Sequence, residues 1–170
     1  MKSAVWENIF RGRKKDQSKE VLALKQVPVF DGLDDRELAE IERVVHHRTY
    51  KPEEFVFRKS APGEGLYIIL QGSVDILTET DDGKSSLVAS LGEGDFFGDL
   101  SLLDQEPRSA NAVAKDYSEL LGFFRPDLTS ILKRKPDLGV KILFNVARVI
   151  GERLRKTNEL LEASQGKRQG

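Results

Sequence analysis

Residues 97–110 of the chain read FGDLSLLDQEPRSA and lie between two runs of alternating apolar residues. Gly98 lets the backbone approach a ligand closely, and residues 100–103 can form one helical turn whose free N–H groups face negative charge. Arg108 supplies a planar guanidinium that fits phosphate oxygens. Asp99 would repel a bare phosphate but can accept hydrogen bonds from a sugar hydroxyl. The stretch therefore predicts a site for a phosphorylated sugar.

Short segments in which apolar residues recur at every second position surround this stretch, a pattern typical of strands. They cover residues 55–57, 66–70, 74–76, 87–88, 109–115 and 118–124. Glycine-containing turns separate them at close, regular intervals, namely Pro62-Gly-Glu-Gly65, Gln71-Gly72, Asp81-Asp-Gly83 and Gly92-Glu-Gly94. This arrangement predicts a compact antiparallel all-β barrel or roll.

Helical patterns precede the strands. One covers residues 19–27 and ends before Pro28, because proline cannot continue a helix. The next begins after Asp34, a suitable N-cap, and is expected to continue to about His46. Its buried stripe is predicted to consist of Leu38, Ile41, Val44 and Val45.

Two more helices are expected after the strands, since Pro126 and Pro136 occupy first-turn positions. A short helix should end near Lys135, and a long one should cover residues 137–163. Apolar and small residues at alternating spacings of four and three form a heptad seam on the long helix, made of Leu143, Ala147, Ile150, Leu154, Thr157 and Leu161. A second stripe is left to pack on the strands, made of Ile142, Val146 and Val149. The two apolar faces predict a homodimer formed through this helix.

The sequence at 97–110 resembles the phosphate-binding cassette of cyclic-nucleotide-binding domains, through Phe97-Gly-Asp-Leu-Ser-Leu-Leu103 and Pro107-Arg-Ser-Ala110. The resemblance extends over most of the chain, because Phe30-x-Gly-Leu33, Gly65-Leu-Tyr-Ile-Ile-Leu-x-Gly72 and the long C-terminal helix also match. It implies a mainly β fold, an eight-stranded antiparallel double-stranded β-helix of the jelly-roll type. N-terminal helices and a long C-terminal helix would flank this β-roll.

The resemblance also implies roles for individual residues. Arg108 would hold the exocyclic phosphate oxygens, and the ribose 2′-hydroxyl would bind Asp99. The phosphate would further meet the backbone of Gly98, Leu100, Ser101, Ser109 and Ala110. The nucleotide base would meet the C-terminal helix, acting as a lid, near Arg153 and Thr157.

The chain departs from the family pattern at Asp99, where the family usually has glutamate. The shorter side chain puts the ribose contact in question, and losing a hydrogen bond to a charged group would weaken binding by about ten- to a hundredfold. Asp99 could also act as a helix N-cap, and Arg108 taken alone could be a surface residue after a turn. Their spacing within the matching cassette favours ligand contact for both.

We expect four parts in the chain: a basic helical extension at 1–26, the β-roll at 27–135, a lid and dimerisation helix at 136–163, and a disordered tail at 164–170. In the extension, Val5, Trp6, Ile9 and Phe10 fall on one helical face beside arginine and lysine residues. Such a face could touch a membrane surface, but its shortness favours packing on protein.

Composition and missing motifs narrow the function. The 170 residues hold 27 Lys and Arg against 28 Asp and Glu, which gives no overall attraction to nucleic acid. There is no cysteine, and the adjacent His46 and His47 are poorly placed to share a metal, so no metal site or cofactor is expected. No signal peptide or membrane span is evident, which predicts a cytoplasmic protein. No P-loop, nucleophile elbow or kinase signature occurs, which argues against an enzyme.

We therefore interpret the sequence as a sensor that binds cAMP or cGMP and acts by conformational change on an effector protein of unknown identity. Direct DNA binding is not expected, because too few residues follow Leu161 for a helix-turn-helix. The alternative is a structural or protein-interaction module with the same fold that does not bind nucleotide.

Overall fold

The computed structural model describes residues 17–79 and 83–166. The predicted apolar face at residues 5–10, part of the turn at 81–83 and the end of the predicted tail lie outside these ranges. The described elements are α1 (Lys19–Leu24), a 3₁₀ turn (Pro28–Phe30), α2 (Asp35–Glu42), β1 (His46–Tyr50), β2 (Phe55–Phe57), β3 (Gly65–Gln71), β4 (Val74–Glu79), β5 (Ser85–Leu91), β6 (Phe96–Phe97), a second 3₁₀ turn (Asp99–Leu102), β7 (Asn111–Ala114), β8 (Ser118–Phe124), α3 (Arg125–Arg134) and α4 (Pro136–Gly166).

The eight strands form two four-stranded sheets in which every pair is antiparallel. The first sheet has the order β1-β8-β3-β6 and the second has the order β2-β7-β4-β5. Helices lie on either side of the strands in the chain, as expected for the β-roll. The predicted mainly β fold with flanking helices and a long C-terminal helix is therefore confirmed.

Alternation along β3 connects two hydrophobic cores. Leu66 and Ile68 belong to the core shared with the helices, while Tyr67 and Ile69 belong to the core inside the roll. Successive side chains of a strand point to opposite faces, so β3 is covered on both sides and its central residues are buried. The strand β6 pairs with β3 at the edge of this sheet.

The N-terminal helices are shorter than the sequence suggests. Asp34 caps α2 with a capping box completed by Glu37, as its position predicted. The helix ends at Glu42 and not at His46, because His46 already pairs with Gly122 in the ladder between β1 and β8. Likewise α1 ends at Leu24, three residues before the predicted end at Val27.

The C-terminal helices begin where the prolines predict, with Pro126 in the first turn of α3 and Pro136 opening α4. Helix α4 continues to Gly166, past the predicted end at residue 163. The predicted inner stripe of α4 is buried in the helical core, at Ile142, Val146 and Val149. None of the described helices is both long and apolar enough to cross a bilayer.

Candidate functional site

The cassette turn, Asp99–Leu102, follows β6 and lies beside the start of β3. Gly98 precedes it in the left-handed conformation, with a φ of 80°, which favours glycine. A Cβ at Gly98 would lie 2.6 Å from an Arg108 guanidinium nitrogen and 3.0 Å from the Gly65 carbonyl oxygen. The backbone and the Arg108 side chain thus approach each other as closely as glycine allows.

Arg108 reaches the cassette turn from the segment before β7. It is only 6% exposed, and its guanidinium lies 4.1 Å above the ring of Phe57. One terminal nitrogen donates to Ser101 Oγ at 3.0 Å and to the Gly98 carbonyl at 3.4 Å, and the other donates to the Gly65 carbonyl at 2.9 Å. These described hydrogen bonds all go to neutral oxygens.

The charge of Arg108 therefore has no direct ion pair among the described residues, and the carboxylates that favour its charged form, those of Glu64 and Asp104, are more distant. The Arg108 Nε is buried without a hydrogen-bond partner in the described part of the chain. Burial lowers the pKa of the guanidinium from its usual value. Arginine nevertheless stays protonated in proteins, and a buried charge is costly unless it is paired. The arrangement therefore suits an anion bound beside Arg108.

Asp99 lies at the start of the cassette turn and is only 2% exposed. Its Oδ1 is 2.5 Å from a guanidinium nitrogen of Arg153, whereas its Oδ2 is buried and has no partner among the described residues. The carboxylate makes no capping hydrogen bond, since the residue at the N-cap position is Gly98. Asp99 therefore does not act as the N-cap of this turn.

Arg153 brings α4 over the cassette. Besides its ion pair with Asp99, its guanidinium lies 4.9 Å from the ring centroid of Phe96. Thr157, one turn further along α4, is exposed and donates to the Arg153 carbonyl, with no described hydrogen bond to the cassette. The helix predicted as a lid therefore contacts the site through Arg153.

The predicted site residues fall into two groups. Contacts join Gly98, Asp99, Ser101, Arg108 and Arg153 into one cluster. Leu100, Ser109 and Ala110 flank this cluster, with Leu100 and Ser109 exposed. The strand β7 begins only at Asn111, not at Ser109 as predicted, because Arg108 pairs through its backbone with the loop at Ser60 and Ala61. None of these positions is shown to bind a ligand, so their roles stay predictions.

The site also contains an arginine that the sequence motifs do not single out. Arg125, the first residue of α3, donates from one guanidinium nitrogen to the carbonyls of Gly63 at 2.9 Å, Ser101 at 2.8 Å and Asp104. Its sequence context signalled only a helix start before Pro126. The loop at residues 62–65 lies close to the cassette, because a Cβ at Gly63 would lie 2.4 Å from Ser101 Oγ, but no sequence motif connects this loop with Arg125.

The two histidines have separate partners. His46 Nε2 lies 3.1 Å from a carboxylate oxygen of Asp127, and His47 Nε2 lies 3.4 Å from one of Glu20. Within the described residues, no group of three or more histidine, aspartate or glutamate side chains could hold a metal ion.

A model of the family described as "Cyclic nucleotide-binding domain" matches residues 47–135. The Cyclic AMP receptor protein of Thermus thermophilus is 33% identical over 135 residues, covering 79% of this chain and 61% of that protein. The CRP-like cAMP-activated global transcriptional regulator of Mycobacterium tuberculosis is 30% identical over 138 residues, covering 81% of this chain and 60% of that protein. The chain thus spans about 60% of the length of these relatives.

Two solved structures are similar to this chain in both fold and sequence. The Thermus thermophilus Catabolite Activator Protein superposes with a TM-score of 0.73 at 32% identity, covering 82% of this chain and 63% of that one. The N-terminal domain of a transcriptional regulator from Streptomyces coelicolor superposes with a TM-score of 0.72 at 32% identity, covering 82% of this chain and 94% of that one.

Proposed function

Because this chain belongs to the cyclic nucleotide-binding domain family, we propose that it binds cAMP or cGMP at the cassette and regulates an effector protein through α4. Domains of this family are regulatory binding domains and are not enzymes themselves, in agreement with the sequence prediction. The relatives named for cyclic AMP support this ligand class. Cytoplasmic location is part of the same proposal.

The observation that carries the proposal is the buried guanidinium of Arg108, which has no direct ion pair with a described carboxylate. Its described hydrogen bonds go to two carbonyls and a hydroxyl, and its Nε has no partner there. A cyclic phosphate placed against Gly98 would supply a directly paired negative charge and accept from Nε. The free N–H groups of the cassette turn would add further donors to the same oxygens.

The unpartnered Oδ2 of Asp99 supports a sugar beside that phosphate. A ribose 2′-hydroxyl could donate to this oxygen while Oδ1 stays paired with Arg153. The methylene that Asp99 lacks relative to the usual glutamate would then be offset by a small displacement of the sugar or the turn.

The proposed signal is a shift of α4. A ligand moves an equilibrium between two conformations only by binding one of them more tightly. Arg153 on α4 contacts the same carboxylate that would bind the ribose, so ribose binding and the position of α4 would depend on each other. An effector protein that contacts α4 would read this change.

We further propose that α4 joins two copies of the chain. Several apolar side chains on one side of α4 are exposed in the single chain, including Phe144, Leu154 and Leu161. Two copies pairing along this face would remove them from water.

The test is isothermal titration calorimetry with cAMP and with cGMP. We expect micromolar or tighter binding to the wild type and at least a hundredfold weaker binding to Arg108→Ala, since about 3 kcal/mol corresponds to that factor. The matched control is Arg58→Ala. Arg58 is an exposed arginine that stacks on Phe55 and lies outside the cassette, so this variant should bind as the wild type does.

A second candidate function is a protein-interaction module that does not bind nucleotide. The observation in its favour is the Asp99–Arg153 ion pair, which already occupies one oxygen of the shortened carboxylate. Thermal unfolding separates the two candidates. At a ligand concentration of 100 times the dissociation constant, a sensor gains about 2.7 kcal/mol of stability, whereas the interaction module gains none. No heat and no thermal shift with either nucleotide would favour the second candidate.

A further inference from the structure

Arg125 connects three segments of the chain with one guanidinium group. Its Nη2 donates to Gly63, Ser101 and Asp104 carbonyls, while its backbone N–H donates to the Glu64 carbonyl at 2.9 Å. The loop before β3, the cassette turn and the first residue of α3 therefore meet at this side chain.

The acceptors on the cassette side are backbone groups at the end of a helical turn. Carbonyls at such an end have no partner within the turn, and arginine is well suited to satisfy them. Ser101 lies between two arginines, because its hydroxyl accepts from Arg108 while its carbonyl accepts from Arg125. A movement of the cassette turn toward or away from Arg108 would therefore pull on Arg125.

A cavity borders α3 on this side. It has a volume of about 770 Å³ and opens between the loop Pro62–Glu64 and α3, with Thr129 and Lys133 in its lining. On its other side α3 packs through Leu128 and Ile131 into the core that also holds Leu138 and Ile142 of α4. Arg125 is thus a polar connection between the cassette and a helix whose apolar face is shared with α4.

We propose that Arg125 is a positioning residue that holds the cassette turn in place and couples it to α3, and through α3 to α4. The coupling of ligand to α4 rests on the proposed function, whereas the connection between cassette and α3 does not. In this arrangement the ligand binds Arg108, the cassette turn shifts with it, and Arg125 carries the shift to the first turn of α3.

Amide hydrogen exchange tests the proposal, followed in peptides that cover residues 98–104 and 125–134. The variants are Arg125→Ala and Arg125→Lys, which keeps the charge but lacks the planar fork. The control is Arg134→Ala at the other end of α3, where the side chain donates to Ser130 within the same helix. Circular dichroism establishes that each variant is folded.

Without ligand, we expect exchange in residues 98–104 to be about tenfold faster or more in Arg125→Ala, intermediate in Arg125→Lys, and unchanged in the control. Saturating cAMP or cGMP should slow amide exchange in residues 98–104 and 125–134 of the wild type and of the control. In Arg125→Ala, the ligand should slow exchange in residues 98–104 but not in residues 125–134. If Arg125→Ala does not fold, Arg125→Lys takes its place in both comparisons, the ligand-free exchange of residues 98–104 and the response of residues 125–134 to ligand.

Two results would overturn the proposal: unchanged exchange of residues 98–104 in the ligand-free variants, or a response of α3 to ligand that survives the loss of Arg125. Failure of the proposed function has a different signature. In that case neither nucleotide would slow exchange in the wild type, and the ligand-free comparison would still decide whether Arg125 positions the cassette.

Discussion

The two oxygens of the Asp99 carboxylate differ in their surroundings. Oδ1 is paired with Arg153, and Oδ2 is buried without a described partner. A buried acceptor that stays unsatisfied is costly, so a donor at this position would bind favourably. The same residue therefore links the predicted sugar contact to the helix above it.

This difference yields a prediction about sugar recognition. We expect the wild type to prefer cAMP over 2′-deoxy-cAMP by about tenfold, because the deoxy sugar cannot donate to Asp99. In Asp99→Ala the preference should fall close to one. Titration calorimetry with both nucleotides measures it. Asp95→Ala serves as control, since the Asp95 carboxylate accepts from the Gly92 backbone N–H outside the cassette.

A preference for cAMP that persists in Asp99→Ala would contradict the assignment of Asp99 to the ribose. The site would then have to recognise the sugar through another group, and the unpartnered Oδ2 of Asp99 would have a role other than binding the ribose.

At the scale of elements, β1 and β3 each bring a tyrosine to the core inside the roll. Burial is the main cause that raises the pKa of Tyr50 to about 12, and the nearby Tyr67 hydroxyl is the second cause. Burial also raises the pKa of Tyr67. A tyrosine whose pKa is higher in the folded state adds stability at neutral pH. That contribution is lost as the pH rises above the unfolded value of about 10 toward the folded value.

We therefore expect the free energy of unfolding to fall between pH 10 and pH 12, and to fall less steeply in Tyr50→Phe. Urea unfolding at several pH values in this range measures the change. Tyr117→Phe is the matched control, because Tyr117 lies at an exposed position and should leave the pH dependence as it is in the wild type. An equally steep fall in Tyr50→Phe would show that the Tyr50 hydroxyl is not responsible.

At the scale of the whole molecule, the outer face of α4 is an apolar surface that the described part of the chain leaves exposed. Phe144 is 74% exposed and Leu154 is 60% exposed, although the inner stripe of the same helix is fully covered. Leu143 and Ile150 of the predicted seam lie partly against the chain's own core, so the seam is divided between this core and solvent.

We expect the protein to sediment as a dimer in analytical ultracentrifugation, and Leu154→Glu to raise the dimer dissociation constant by about a hundredfold, because a charge would be placed in an apolar contact. Lys156→Glu is the control, since Lys156 is exposed on the side of α4 opposite to Phe144 and Leu154. A monomeric wild type, or equal dissociation of both variants, would contradict a dimer formed along this face.

Some boundaries of helices and strands could be predicted from the sequence, and others could not. The turn glycines, the prolines and the Asp34 cap act locally, so their positions marked strand and helix starts well. The helix predicted to His46 ends at Glu42, because His46 pairs with Gly122 in the ladder between β1 and the distant strand β8. The two-residue strand β6 is too short to show alternation, and it was not predicted as a strand.

Alternating apolar residues and turn glycines predicted the β-roll, because both patterns act locally. Gly98, Asp99 and Arg108 predicted a site for a phosphorylated sugar, and the resemblance to the family implied their finer roles. The tertiary structure was needed to show that Arg108 is buried among neutral oxygens, that Arg153 occupies one oxygen of Asp99, and that Arg125 holds the cassette carbonyls. These contacts join residues from 7 to 54 positions apart. Their partners are chosen by the packing of sheet, turn and helix, which no local pattern records.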